Sequence, residues 1–172
     1  TIDGKVMAGK KYDEISKMLK GAPNTTITIT VERMGESAPV TKTLTREEIT
    51  INSVPYYDTL SNNLGYIRLG GFTDEAGQEM KRAVEDLVEK KNVTGIILDL
   101  RGNPGGLLNE AVNIVNVFVD KGQEVVSTKG KVKEWDKMYR SLNPAVDTKT
   151  PLVVLVNSGS ASAAEIVSGA LQ

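Results

Sequence analysis

The chain has 172 residues, with 21 Lys plus Arg against 22 Asp plus Glu and a net charge of -1. That length buries about 70% of the unfolded surface around a core, and the near-neutral balance argues against partners recognised by bulk charge, such as nucleic acid or an anionic membrane. With no cysteine and no histidine, disulfides, thiolate nucleophiles, Cys- or His-based zinc sites and the usual Ser–His pair are excluded, and no carboxylate cluster or cofactor motif stands in for them.

Residues 2–5 read as a strand end and turn, and 12–20 place Tyr12, Ile15, Met18 and Leu19 at helical spacing before Gly21 stops the run. Residues 25–33 and 40–45 alternate and are rich in β-branched side chains, with a turn at 34–38, so this part reads as a helix on a hairpin. A polar segment, 46–63, follows with one predicted strand at 49–54 and is taken as the domain boundary. The expected division is 1–46, a 47–63 linker and strand, and 64–172.

From residue 64 the pattern changes. Residues 64–69 predict a strand, and 74–91 an amphipathic helix with Ala76, Met80, Ala83, Val84, Leu87 and Val88 on one face. Residues 95–100 are nearly all apolar, as in a strand covered on both faces. A loop at 101–106 leads into a helix over 107–118, residues 129–149 predict a surface loop or short helix, 152–156 a second buried strand and 163–171 the opening of a helix. This β-α-β-α-β-α order predicts an α/β fold with a mostly parallel sheet and flanking helices. The apolar runs are far too short to span a bilayer.

Two turns stand where open α/β sheets place their sites, beyond strand carboxyl ends: Arg101-Gly102-Asn103-Pro104-Gly105-Gly106 and Asn157-Ser158-Gly159-Ser160-Ala161-Ser162. Each opens a helix and so presents unpaired N–H groups at a positive helix end, the equipment for holding an oxyanion. Neither carries a Walker or Gly-x-Gly-x-x-Gly pattern, which leaves phosphate binding weakly supported. Taken singly, each turn reads more readily as a tight loop, with Ser160 or Ser162 as a helix cap, and the two together weaken that reading. A catalytic serine without histidine points to lysine as base. Its pKa would have to fall from about 10.4 to near 7, on the order of 4 kcal/mol, which requires burial. The lysines present fall mainly on polar helix faces, turns and the charged loop, and none stands out.

"ILDLRGNPGGLLNEAV" at 97–112 and "PLVVLVNSGSASAAEIVSGAL" at 151–171, with "GYIRLGGF" before them, resemble the carboxyl-terminal processing, or tail-specific, proteases over essentially the whole chain. The first 45 residues are similar to the second half of a PDZ module. The resemblance implies a crotonase/Clp-protease-like α/β core preceded by the C-terminal half of an α+β PDZ module. It also implies a Ser-Lys serine endopeptidase acting on polypeptides with a free C-terminus, without metal or cofactor, in a periplasmic or other extracytoplasmic compartment. Separately, the exposed apolar faces expected of such a partial core would allow a homodimer. By position the resemblance makes Ser162 the nucleophile, ahead of Ser160 and Ser158, and assigns the oxyanion donors to the amides of Ala163 and of Gly106, ahead of Gly105. Asp99, Arg101 and Glu165 match the family's supporting polar residues, with a structural ion pair or loop hydrogen bond the plainer reading of each. The family's lysine stands a couple of dozen residues past the serine, so the base and the PDZ carboxylate-binding loop are expected outside residues 1–172, and the isolated chain is expected to be inactive. The alternatives are a non-catalytic ligand-binding relative and a crotonase-like acyl-thioester enzyme.

Overall fold

The computed structural model describes residues 1–49 and 51–172. The chain divides into two compact units, Thr1–Thr50 and Ile51–Gln172.

In the first unit, helix α1 (Tyr12–Leu19) accompanies a hairpin of β1 (Thr26–Val31) and β2 (Val40–Thr45), antiparallel with Ile27 opposite Leu44. The alternation of β-branched residues sends Ile27 inward, where it is buried with Ile2. Arg46 ends the hairpin and caps the helix: its guanidinium donates to the carbonyls of Leu19 at 2.8 Å and Met18 at 3.2 Å, and to Thr25 Oγ1 at 2.9 Å. These carbonyls are among those an α-helix leaves unpaired at its C-terminus, and a cation there is favourable. A groove of about 610 Å³, lined by Leu19, Ile27, Ile29 and Leu44 among others, runs along this unit.

The second unit is an α/β fold around a four-stranded sheet whose strands lie, in spatial order, at residues 56–59, 64–68, 95–99 and 152–155. Strand β3 (Tyr56–Thr59) lies antiparallel to β4 (Leu64–Arg68), whereas β4, β5 (Gly95–Asp99) and β8 (Leu152–Leu155) are mutually parallel, with Arg68 beside Asp99 and Asp99 beside Leu155. Helix α2 (Ala76–Glu85) continues into a π turn over Asp86–Lys90 and connects β4 to β5, while α3 (Leu108–Phe118) follows β5 and α4 (Ala163–Ala170) follows β8. The apolar faces of these helices, Met80, Ala83 and Val84 on α2, Ile114 and Val115 on α3, Ala164 and Val167 on α4, join Ile67, Leu98 and Leu100 in one buried cluster.

Three expectations need correction. Residues 152–156, read as a second buried strand, give β8 at the end of the four-stranded sheet, with none of these residues buried and Val153 55% exposed. Residues 51–54 form no strand; the strand lies at 56–59, and Thr50, within the expected 49–54 strand, falls outside the described residues. Ile49 and Ile51 suggest burial by type but are exposed, so the apolar letters there mark no core face. Residues 129–149 are more than a loop: β7 (Lys137–Arg140) pairs antiparallel with β6 (Glu124–Thr128), a short 3₁₀ turn, Lys133–Trp135, lies between them, and Trp135 is 79% exposed. This hairpin is held by main-chain pairing with little burial, so it leaves no alternation for the sequence to show.

Leu98→Ala, at a fully buried position of β5, is expected to lower the free energy of unfolding by about 2 to 5 kcal/mol. Lys81→Ala on the exposed face of α2 is expected to change it by less than about 0.5 kcal/mol; denaturant midpoints at unchanged slope measure both.

Candidate active site

Strands β5 and β8 are parallel neighbours, so the turns that leave them, 101–106 and 157–162, emerge at the same edge of the sheet. Side chains and amides then join the two. The Gly102 N–H donates to Asn157 Oδ1 at 2.9 Å, Ser160 Oγ donates to the Leu100 carbonyl at 2.8 Å, and the Ala161 N–H donates to the Asn103 carbonyl at 3.0 Å.

Ser162 ends the second turn with φ 55° and ψ -116°, a left-handed conformation at the N-cap of α4. For a residue with a Cβ this costs on the order of 1 to 3 kcal/mol, and it gives the sharp strand-to-helix corner that exposes a serine hydroxyl. The turn is held by Glu165, whose Oε2 accepts the Ser162 N–H at 2.7 Å, and by the Ala164 N–H on the Ala161 carbonyl at 3.1 Å. Ser162 is exposed and its side chain makes no cap hydrogen bond. Ser160 differs: its Oγ is committed to Leu100 and also accepts the Asn157 N–H at 3.0 Å. Ser158 is exposed at the tip of the same turn.

The glycine-rich turn closes against this corner. A Cβ on Gly105, whose φ is +100°, would lie 2.8 Å from Ser162 Cβ and 2.9 Å from the Ala163 nitrogen, so only glycine permits the approach. The Gly105 N–H is already used, donating to Asn103 Oδ1 at 2.9 Å. Gly106 forms a parallel bridge with Phe72, in which the Phe72 N–H donates to Gly105 and the Leu107 N–H donates to Phe72. Such a bridge turns the amide of Gly106 itself away from Phe72. Among the described residues neither the Gly106 N–H nor the Ala163 N–H has an acceptor. Two uncommitted donors, one per turn, therefore flank the meeting point of Gly105 and Ser162.

Asp99 and Arg101 form an ion pair at the end of β5. Arg101 Nη2 donates to Asp99 Oδ2 at 2.6 Å and Nε to Oδ1 at 2.9 Å; the Arg101 amide reaches Oδ1 at 2.9 Å and the Tyr66 hydroxyl reaches Oδ2 at 2.6 Å. The Arg101 guanidinium, with help from Tyr66, holds the Asp99 carboxyl well below the usual carboxylate range although burial opposes this. The hydrogen bond to Asp99 pushes the Tyr66 phenol up. A carboxylate so satisfied is a fixed anion that anchors the first residue of the turn, and Glu165 likewise holds the serine corner. Every lysine of the chain is exposed, and hydrogen bonds with Asp86 and Asp58 push Lys90 and Lys91 up, opposite to what a neutral base needs. Among the described residues no group of three or more Asp or Glu is placed to hold a metal.

Tyr66, Asn103 and Asn157 are the polar residues that the motif reading passed over. Asn103 and Asn157 sit inside the quoted turns, but only the fold shows that they join one turn to the other or to β4; nothing in the sequence marks Tyr66 as the partner of Asp99.

Residues 63–172 match the family model of peptidase family S41. The carboxy-terminal-processing protease of Bartonella bacilliformis is 39% identical over 176 residues, covering 99% of this chain and 39% of the relative. A probable CtpA-like serine protease of Staphylococcus aureus is 39% identical over 172 residues, covering 99% of this chain and 34% of the relative. The chain thus spans little more than a third of the length of these curated relatives. Among solved structures, a photosystem II D1 C-terminal processing protease superposes with a TM-score of 0.61 at 32% identity, covering 99% of this chain and 47% of that one. A putative S41 protease from Bacteroides fragilis has a TM-score of 0.60 at 19% identity, covering 99% of this chain and 49% of that one, and shows likeness of fold.

Because the folded-state pKa of Asp99 is depressed, its contribution to stability is fully present above about pH 5 and is lost as pH falls through the ordinary carboxylate value near 3.9 and below. Asp99→Asn is expected to remove that share of the acid sensitivity, read as a flatter dependence of melting temperature on pH between about 5 and 3. Gly105→Ala is expected to destabilise the second unit by about 1 to 3 kcal/mol through overlap with Ser162 and positive φ, measured by denaturant titration.

Proposed function

Because the chain belongs to peptidase family S41, we propose that it carries the nucleophile and oxyanion site of a serine endopeptidase that recognises and cleaves polypeptides near their carboxyl ends. Support comes from the free hydroxyl of Ser162 on a strained corner, in contact with a glycine turn, between two uncommitted amides. Ser162 Oγ attacks the scissile carbonyl carbon, and the carbonyl oxygen becomes an oxyanion that accepts from Gly106 and Ala163. Each such donor contributes about 2.7 to 4 kcal/mol of transition-state stabilisation. The serine proton passes to the base and then to the departing amine; water attacks the acyl-enzyme ester and gives one proton to the base, the bond from Ser162 Oγ to the acyl carbon breaks to release the peptide acid, and the base returns that proton to Oγ.

The base is a lysine of the longer protein outside residues 1–172. The exposure of every lysine here supports this, since a lysine neutral near pH 7 has to be desolvated. On this reading the isolated chain hydrolyses no peptide. The first unit acts as the C-terminal part of a PDZ module, its groove beside Leu19, Ile27, Ile29 and Leu44 taking part in holding the apolar tail of the substrate. The protein works in the periplasm or another extracytoplasmic compartment, with which the absence of cysteine is compatible.

In the full-length protein, Ser162→Ala is expected to lower kcat for a fluorogenic peptide by at least about 10⁴-fold and to abolish labelling by a fluorophosphonate. Ser160→Ala removes two hydrogen bonds worth about 0.5 to 1.5 kcal/mol each and is expected to lower stability while leaving kcat within about tenfold. Full activity in Ser162→Ala, or wild-type protein that binds apolar peptide without hydrolysis or labelling, would overturn the reading in favour of a non-catalytic relative.

A further inference from the structure

Asn103 bonds to three parts of the chain that meet at the site. It is fully buried, at 0% exposure. Its Nδ2 donates to the Leu69 carbonyl beyond β4 at 2.9 Å, its Oδ1 accepts the Gly105 N–H at 2.9 Å, and its main-chain carbonyl accepts the Ala161 N–H at 3.0 Å. One residue thus links the sheet edge, the glycine turn and the serine turn.

Gly105 and Gly106 both have positive φ, +100° and +150°. Two successive glycines leave a turn free to aim either amide at the serine, and a free choice between donors would blunt a preorganised oxyanion site. Phe72 constrains one side of the turn through the Gly105 carbonyl and the Leu107 amide. The Asn103 carboxamide constrains the other by occupying the Gly105 N–H, which leaves the Gly106 N–H for an incoming oxygen. We propose that Asn103 is the positioning residue of the oxyanion site: its side chain selects Gly106 as the donor, and its main-chain carbonyl sets the height of the serine turn against that donor. The proposal rests on the proteolytic reading of Ser162.

The chemistry explains the residue type. The site needs one acceptor for Gly105 and one donor for Leu69 on a single buried, uncharged side chain, which a carboxamide supplies. An ionised Asp accepts from Gly105, offers nothing to Leu69 and sets a buried negative charge beside the place where negative charge develops. Leu offers neither and leaves both main-chain groups unpaired.

The test uses the full-length enzyme. Asn103→Asp is expected to lower kcat by about 10²- to 10³-fold near pH 8 with KM within about threefold. The ratio of variant to wild-type kcat rises as pH is lowered, because a protonated carboxyl regains the donor to Leu69. Asn103→Leu is expected to show a comparable deficit that does not change with pH. Equal deficits at every pH for the two variants, activity lost only in proportion to the folded fraction measured by circular dichroism, or an effect on KM alone would overturn the proposal. A measurement on wild-type protein needs no variant to fold: on forming a tetrahedral adduct between a peptide aldehyde and Ser162, the ¹⁵N-labelled Gly106 amide proton is expected to move downfield while that of Gly105 stays in place, and the reverse pattern overturns the proposal. If wild-type turnover does not depend on Ser162, the proteolytic reading itself fails; Asn103 variants with normal kcat in a Ser162-dependent enzyme sink only this inference.

Discussion

Parallel pairing of β5 with β8 obliges the turns 101–106 and 157–162 to leave the sheet at one edge, and every feature of the candidate site depends on it. Antiparallel neighbours would send one turn to each end of the sheet. Strand β5 is covered by helices whose buried residues share one cluster with it, and β8, partly exposed at the end of the sheet, lies parallel beside it, an arrangement that suits a sheet needing cover on its faces. The site is thus a consequence of how the core is covered.

Holding Ser162 at φ 55° opposes folding by about 1 to 3 kcal/mol. Against it stand the bonds of Gly102 to Asn157, Ser160 to Leu100, Ala161 to Asn103 and Ser162 to Glu165, each contributing about 0.5 to 1.5 kcal/mol. Acting together they exceed the strain, so the corner persists with its hydroxyl unused. Polar residues flanking Ser162 are largely satisfied by the scaffold, whereas the Gly106 and Ala163 amides have no acceptor among the described residues. That contrast between satisfied and unsatisfied groups is what marks the site physically.

The Asp99–Arg101 pair shows the same division of labour. Arg101 is half exposed, so solvent weakens its attraction for Asp99 and the pair adds modestly to stability. Its use is geometric: one carboxylate receives the Arg101 amide, the guanidinium and the Tyr66 hydroxyl, and so fixes where the glycine turn begins.

Periodicity alone determined much of the frame. Residues 64–69 and 95–100 read as strands because burial leaves them apolar, 152–156 from its apolar run although none of it is buried, 12–20 and 107–118 as helices because one face is apolar, and the glycine- and serine-rich turns showed in composition. The strand at 56–59 and the hairpin of β6 and β7 did not show, because edge and exposed strands are held by main-chain bonds that carry no side-chain signature. The family resemblance ranked Ser162 ahead of Ser160 by position alone; what the sequence did not show is that the Ser160 hydroxyl is committed to Leu100, 60 residues earlier in the chain. The same holds for Asn103 with Leu69 and Asn157 with Gly102, pairs separated by 34 and 55 residues. Local pattern determined which segments form; only the tertiary structure decided which polar atoms are spent on one another and which amides are left without an acceptor, because a hydrogen bond depends on distance in space and sequence records only order.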